Sequence, residues 1–419
     1  MKLGHRTGVL LAASILVITT GCSTKAPDTA AGGEGGESGG EEGEILTGRG
    51  VEGDTINLGV LTDLTGVFAA LGADITNANT LYWEQQNASD KVCDGKYEVA
   101  LNIKDTGYVP QQGVQLYSGM KDDILAMQQT IGSPINTALE PAYTADSIVN
   151  LPSAWARNLT NYEGNGVVGA TYDVEMTNGL GYALEEGLIK EGAKIGHIYF
   201  EGEYGANGLA GSKYMATKHG FEIIEAKIKP TDQDMSAQIT QFKAAGVDAI
   251  ALTTAPSQTA SAAGAAATQG LDVPIIGSNP VFAPGLLQGP AAATLKKNLI
   301  VASPINTFDK HPEILADYKE KYPDVTPSLG VLFGYGMADV MKQIIEQACE
   351  NGDLTPEGML KAKTELTDVD TGDLIVPLDF TEAGASPSLQ SFILQPADVP
   401  GGAKALTEAI ESKDAAGVA

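Results

Sequence analysis

Ile56-Asn57-Leu58-Gly59-Val60-Leu61-Thr62-Asp63-Leu64-Thr65-Gly66 is the passage on which the fold turns. A short β-rich run, Ile56–Leu61, stops at a polar turn and gives way to an amphipathic stretch, Ala69–Gln86. The alternation then recurs. Further β-rich runs lie at Tyr97–Ile103, Ile124–Ile131, Ile195–Phe200, Glu222–Ile228, Val247–Leu252 and Val273–Ile276. Helical patterns separate them at Gln111–Lys121, Thr137–Ile148, Val174–Lys190, Gly208–His219, Ser236–Ala245 and Thr259–Gln269. Strand, helix, strand at this spacing is the signature of parallel sheet covered on both faces. It occurs in two sets, about 55–150 and 194–276, each able to build its own doubly wound α/β sheet. Beyond 300 come helices at Pro312–Lys321 and Gly334–Glu350, a shorter one after Thr355, and extended segments near Leu374–Phe380 and Ser391–Leu394. This third portion has no full strand–helix–strand set, so it is expected to supplement both lobes.

Outward from the core, residues 1–21 read as an export signal. Lys2, His5 and Arg6 precede an apolar run, Gly8–Ile18, too short for the ~20 residues a membrane helix needs. The run ends Thr19-Thr20-Gly21-Cys22-Ser23, which resembles a lipobox and implies lipidation of Cys22; plain signal cleavage is the alternative. Residues 22–53 are read as a flexible acidic tether, rich in Gly and Glu, with scarcely an apolar side chain to bury. The charge balance, 26 Lys+Arg against 53 Asp+Glu, argues against nucleic acid and acidic-lipid partners.

Two motifs are set aside. Gly36-Glu37-Ser38-Gly39-Gly40 matches a hydrolase elbow but has no strand before it and no helix after it. Gly164-Asn165-Gly166-Val167-Val168-Gly169 matches the dinucleotide fingerprint but sits in a connector between the two sets. No metal-binding or cofactor-binding motif appears: there is no H-E-x-x-H, no Walker A lysine and no paired-cysteine motif.

Four passages together resemble the type I periplasmic solute-binding proteins, in particular the leucine/isoleucine/valine-binding branch, over about 54–400. They are the opening strand and turn; Ile131-Gly132-Ser133-Pro134-Ile135-Asn136-Thr137; Glu203-Tyr204-Gly205-Ala206-Asn207-Gly208; and Ala245-Gly246-Val247-Asp248-Ala249-Ile250. The resemblance implies two α/β lobes joined by a hinge of three crossovers. Lobe 1 would be 54–170 with 303–374, and lobe 2 would be 171–302 with 375–400, leaving 401–419 as a C-terminal tail. A small molecule would bind in the cleft between them, where ligands of open α/β sheets sit. The same chain path implies that Cys93 and Cys349 pair within lobe 1, as an exported protein allows.

On this frame the candidate ligand contacts are Asn136 and Thr137, at a strand-to-helix turn suited to a carboxylate or simply to capping the helix. Ser153, Ala154 and Trp155 follow the next strand; Trp155 either lines the cleft or anchors lobe 1. Tyr204 would form the facing wall, with Phe68 and Leu71 opposite, and Asp173 would face the hinge or the ligand. Amino-acid binders carry a carboxylate where this chain has Asn279, in Gly277-Ser278-Asn279-Pro280. A neutral amide does not offset a buried ammonium, which makes an α-amino acid a poor fit unless Asp173 or Glu201 supplies the charge.

The expected function is therefore an extracytoplasmic receptor of an ABC importer. It would be a monomer on the outer face of the membrane, held there by lipid on Cys22, taking an amino-acid-like, amide or small carboxylate ligand to a permease. A sensory receptor without transport fits the same features. A secreted enzyme on the same frame fits poorly, since no nucleophile–base pair occupies a plausible turn.

Overall fold

The computed structural model describes residues 45–418, so the export signal, Cys22 and the tether through Glu44 lie outside the described residues. Two short strands, β1 (Leu46–Thr47) and β2 (Val51–Glu52), open the chain. The first sheet follows: β3 (Thr55–Thr62), helix α1 (Ala69–Ser89), β4 (Glu98–Asp105), α2 (Pro110–Met120), β5 (Ala126–Ile131), α3 (Ser133–Ala145) and β6 (Asn150–Ser153). β3 lies between β4 and β5, β6 borders β5, and these four strands run parallel.

Then come α4 (Tyr172–Glu185), β7 (Lys194–Phe200), α5 (Glu203–His219), β8 (Glu222–Ile228), α6 (Ser236–Ala245), β9 (Ala249–Thr253), α7 (Pro256–Gln269), β10 (Ile275–Gly277), α8 (Ala292–Asn298) and β11 (Leu299–Ser303). The last portion holds α9 (Pro312–Lys321), α10 (Gly330–Glu350), β12 (Asp353–Leu354), α11 (Pro356–Glu365), β13 (Phe392–Pro396), β14 (Ala403–Ala405) and α12 (Ala415–Val418). The second sheet has the order β14-β13-β11-β10-β9-β7-β8, parallel except for β13 and β14. Central strands β5, β9 and β11 are buried along their whole length, as helices on both faces require. The α/β architecture of two doubly wound sheets is thus present.

The chain passes between the sheets after β6, after β11 and after α11. The second and third passages are joined through backbone bonds, Asn306 N–H to the Leu374 carbonyl at 3.0 Å and Val376 N–H to the Pro304 carbonyl at 2.9 Å. Lys363 joins the first and third. Its ammonium donates to the Glu163 carbonyl at 2.8 Å and lies 5.0 Å from the centre of the Phe380 ring. Burial lowers this ammonium to about 8.

Two boundary expectations need correction. Residues 45–53, read as part of the tether, belong to the folded domain. β1 pairs with β12, β2 forms an antiparallel turn with β3, and the Arg49 guanidinium donates to the Asp146 carbonyl at 2.6 Å. Backbone pairing secures this segment despite its polar composition. The segment from 401, read as a tail, adds β14 to the sheet edge and lays α12 against α4, with Ala415 fully buried. Asp414 also lies 2.8 Å from the imidazole of His219.

Cys93 and Cys349 are bonded, with Cα atoms 5.7 Å apart across a sequence separation of 256. Cys93 follows α1 and Cys349 lies near the end of α10, so the bond joins the returning segment to the first sheet's outer helix. Closing so long a loop is worth roughly 5 kcal/mol by chain entropy, and about 2–5 kcal/mol in practice. Cys93→Ser/Cys349→Ser should lose stability in that range by urea denaturation. An unchanged midpoint would show that the α1–α10 packing holds the segment unaided.

Candidate ligand cavity

Loops at the carboxyl ends of the strands line a cavity that is partly open to solvent, with about 860 Å³ of space including that open part. Two buried or half-buried carboxylates shape its first wall. Asp63, at the end of β3, accepts from Gly66 N–H at 2.5 Å and Phe68 N–H at 2.9 Å. Asp105, at the end of β4, accepts from Leu64 N–H and Gly107 N–H, both at 2.9 Å, and from the Thr65 hydroxyl at 2.8 Å. These bonds hold the two loops so that the rings of Phe68 and Tyr108 meet with centres 5.0 Å apart.

Phe68 reaches across the cleft to Tyr204, with ring centres 6.4 Å apart. Tyr204 packs on Tyr172 at 4.4 Å, Tyr172 on Trp155 at 5.9 Å, and Trp155 on Phe333 at 4.8 Å. The polar handles of Trp155 and Tyr204 point into protein. Trp155 donates to the Val168 carbonyl at 2.8 Å, and the Tyr204 hydroxyl bonds to the Thr254 carbonyl at 3.0 Å and Ser278 Oγ at 2.9 Å. Burial pushes the Tyr172 and Tyr204 hydroxyls well above their ordinary range, so both stay neutral.

The cavity is long. Phe68, Leu71 and Ile75 line it from successive turns of α1, and seven residues of helix span roughly 10 Å. On the other lobe the lining runs from Tyr204, after β7, through Asn279 after β10, Val301 and Ser303 of β11, and Leu394 and Pro396 of β13, to Ala403 of β14. β7 and β14 are five strands apart in the sheet, and the Tyr204 ring reaches back over the ends of β9 and β10, where its hydroxyl bonds to Thr254 and Ser278.

Among the described residues that line it, none is charged. Two carboxylates stand close behind the wall. Asp173 forms a two-point ion pair with Arg157, at 2.5 and 3.0 Å, and accepts from Thr171 Oγ1 at 2.5 Å. Glu175 is fully buried; its Oε2 accepts from Asn279 N–H at 2.9 Å, and its Oε1 has no hydrogen-bond partner. Burial raises the Glu175 carboxyl well above the usual range, with the Asp173 charge adding to it, so the group holds its proton.

Of the residues singled out from the sequence, Phe68, Leu71, Ser153, Trp155, Tyr204 and Asn279 line the cavity. Asn136, Thr137, Ala154 and Asp173 do not. The helix begins four residues earlier than the periodicity suggests, because Gly132 turns the chain and Pro134 suits the first helical turn. Asn136 therefore lies inside α3, where its amide donates to the Thr130 and Gly132 carbonyls, both at 2.9 Å, and accepts from Asn150. Thr137 accepts from Asn158 at 2.9 Å, and Ala154 is buried in the core. His197 bonds to Thr253 and Ser212, and burial lowers its imidazole to about 3, which makes it a neutral structural group.

Sequence reasoning missed Tyr108, Tyr172, Phe282, Leu329, Phe333 and the residues of the last two strands. Tyr172 adjoins Asp173 and falls at the start of a helix, which was its one visible signal. Tyr108 follows β4 and Phe282 lies three residues beyond Asn279, whereas Leu329, Phe333 and the last two strands are far along the chain from the turns that define the cleft.

A model of a periplasmic binding protein family matches residues 55–402. No curated protein sequence matches the chain significantly. Among solved structures, a fatty acid ABC transporter substrate-binding protein from Thermomonospora curvata is 38% identical, with a TM-score of 0.86 over 89% of this chain and 96% of that one. A branched chain amino acid ABC transporter protein from Thermus thermophilus, with bound valine, is 18% identical, with a TM-score of 0.77 over 88% and 99%. A solute binding protein of an ABC transporter from Rhodopseudomonas palustris, in complex with 3,4-dihydroxy benzoic acid, is 20% identical, with a TM-score of 0.71 over 86% and 98%. At that identity the last two share the fold. No helix among the described residues is long and apolar enough to cross a membrane.

The protonated state of Glu175 has a measurable consequence. Above pH 4.5 the unfolded chain releases this proton while the folded chain keeps it, so wild-type stability falls as pH rises through that range. Glu175→Gln removes this dependence. Its stability relative to wild type should climb between pH 5 and pH 8 by up to about 1.4 kcal/mol per pH unit in urea titrations. A constant difference across that range would mean that Glu175 is ionised in the folded protein.

Proposed function

The chain belongs to the periplasmic binding protein family, the solute-binding components of ABC transporters, and from that premise we propose that its ligand is a long, apolar carboxylate of the fatty-acid class. The observation that carries this reading is the combination of an apolar lining and missing charge. A zwitterionic amino acid needs a carboxylate for its ammonium, and none lines the cavity: Asp173 behind the wall is paired with Arg157, Asp63 and Asp105 are engaged by backbone N–H groups, and burial favours the protonated form of Glu175. A cavity walled by Phe, Leu, Ile, Val and Pro side chains suits an extended hydrocarbon.

The head group would lie at the amino end of α3. Gly132 lines the cavity there, and the adjoining Ser133 hydroxyl is buried without a partner. An unpaired donor at a helix start favours a carboxylate, as the helix dipole does. The ligand name of the 38%-identical relative supports the same class. Of the ligands expected from the sequence, the carboxylate survives as a head group, and a long tail replaces the small body. Closure would bring lobe 1 (54–170 with 303–374) onto lobe 2 (171–302 with 375 onward). In this reading a lipid on Cys22 holds a monomeric receptor at the outer face of the membrane, where a permease takes the ligand.

Thermal unfolding of the purified domain with palmitate, octanoate, leucine and 3,4-dihydroxybenzoate tests the assignment. Ligand at 100 times its dissociation constant adds about 2.7 kcal/mol of stability. Palmitate should give the largest shift and leucine none. Stabilisation by leucine, with no response to palmitate, would overturn the proposal.

A further inference from the structure

We infer that the turn joining β13 and β14, Ala397–Gly402, is the end wall of the cavity and sets how long a carbon chain the receptor accepts; this rests on the fatty-acid reading above. The turn belongs to the segment that reads from sequence as a tail, yet Pro396, Gly401 and Ala403 all line the cavity. Ala403 is 3% exposed and lies at the far edge of the second sheet, five strands from Tyr204.

The turn is wedged between both lobes. Gly401 and Gly402 have φ of 78° and 77°, the left-handed region where a side chain is strained. Space is lacking too. A Cβ on Gly401 would stand 2.6 Å from Leu329 Cδ2 and 3.0 Å from Phe308 Cδ2; one on Gly402 would stand 2.7 Å from Pro284 Cβ. Paired glycines let the backbone close against Leu329 and Phe308 on one side and against Pro284 on the other.

The wall is also fastened. Gly401 forms a β-bridge with Ser328, at the start of the α10 segment packed on α1. Ser328 is itself held by Asp74 of α1, which accepts from its N–H at 2.7 Å and its hydroxyl at 2.6 Å. On the outer side Lys296 pairs with Asp398 of the turn at 2.5 Å. A chain lying along α1 from Phe68 past Leu71 and Ile75 runs toward Ser328–Gly330 and meets this bridge. Ser328, the polar side chain lining this end, is engaged by Asp74 and leaves no call for a second head group, so the fit there is one of length.

Isothermal titration of wild type, Ala403→Leu and Leu329→Ala with the saturated fatty acids from eight to eighteen carbons decides the matter. Wild type should bind the sixteen-carbon acid more tightly than the ten-carbon acid. Ala403→Leu should weaken the sixteen-carbon acid at least tenfold and change the ten-carbon acid less than about threefold. Leu329→Ala, which opens the same end, should move the optimum toward longer chains. Should Ala403→Leu fail to fold, the Leu329→Ala profile decides alone. Fatty acids bound with a length profile that neither variant moves would overturn the end wall and leave the ligand class standing. Failure of wild type to bind a fatty acid of any length would overturn both.

Discussion

The contact between α1 and α10 is the constraint on which the rest of the molecule depends. Gly334 comes so close to α1 that a Cβ there would lie 2.6 Å from both the Ile75 carbonyl oxygen and Ala78 Cβ. Helices that approach this closely fix each other's position along the axis as well as their separation. Around that point the third portion of the chain is placed in detail. Ser328 falls against Asp74, Tyr82 donates to Asp339 at 2.9 Å, and Cys349 meets Cys93. Because α10 begins at the cavity and ends at the disulfide, the same packing that closes the core also supplies Leu329, Gly330 and Phe333 to the ligand wall.

The second organising fact is electrostatic. The protein carries a formal charge of −27, yet its cavity lining is neutral. Solubility is a property of the whole surface, whereas selectivity is local. Here the acidic groups around the cleft are engaged by the protein itself: Asp173 by a guanidinium, Asp63 and Asp105 by backbone N–H groups, while burial favours the neutral form of Glu175. The Tyr204 hydroxyl, which could have offered a polar contact, is turned into protein and bonded to Thr254 and Ser278. The surface left for a ligand is largely hydrocarbon and ring. Affinity then depends on apolar area removed from water, at roughly 25 cal/mol per Å², rather than on matched charges.

The alternating patterns made the two sheets legible, and several elements, such as β8 at Glu222–Ile228 and α6 at Ser236–Ala245, fall where periodicity puts them. Local signals of this kind depend only on neighbours in sequence. The cavity was half legible for a related reason. Phe68, Ser153, Trp155, Tyr204 and Asn279 sit on turns directly after strands, which a strand-by-strand reading finds. Leu329, Phe333, Leu394 and Ala403 reach the cavity only because α10 returns to α1 and the last hairpin joins the sheet edge. Asn136 shows the converse error. Its amide and the helix start were read correctly as types, but a shift of one helical turn carries the side chain from the cleft into the core. Asn279 is a departure legible in the sequence: an amide stands where amino-acid binders have a carboxylate, and it lines the cavity.

Closure on a long apolar ligand makes a particular demand on the hinge. A small charged ligand is gripped at one point, and modest misalignment of the lobes leaves its ion pairs intact. In the proposed reading a tail extended along the cavity must be covered along its length, so a tilt between lobes would leave part of it in water. The three passages between the sheets are accordingly tied to one another, the second to the third through backbone bonds and the first to the third through Lys363. Tied strands resist twisting while still permitting a bend about their common line, which is the motion that opens a cleft evenly. Phe68 and Tyr204 at one end and the Ser328–Gly401 bridge at the other meet across the cleft, and a ligand of the proposed class would be enclosed between them.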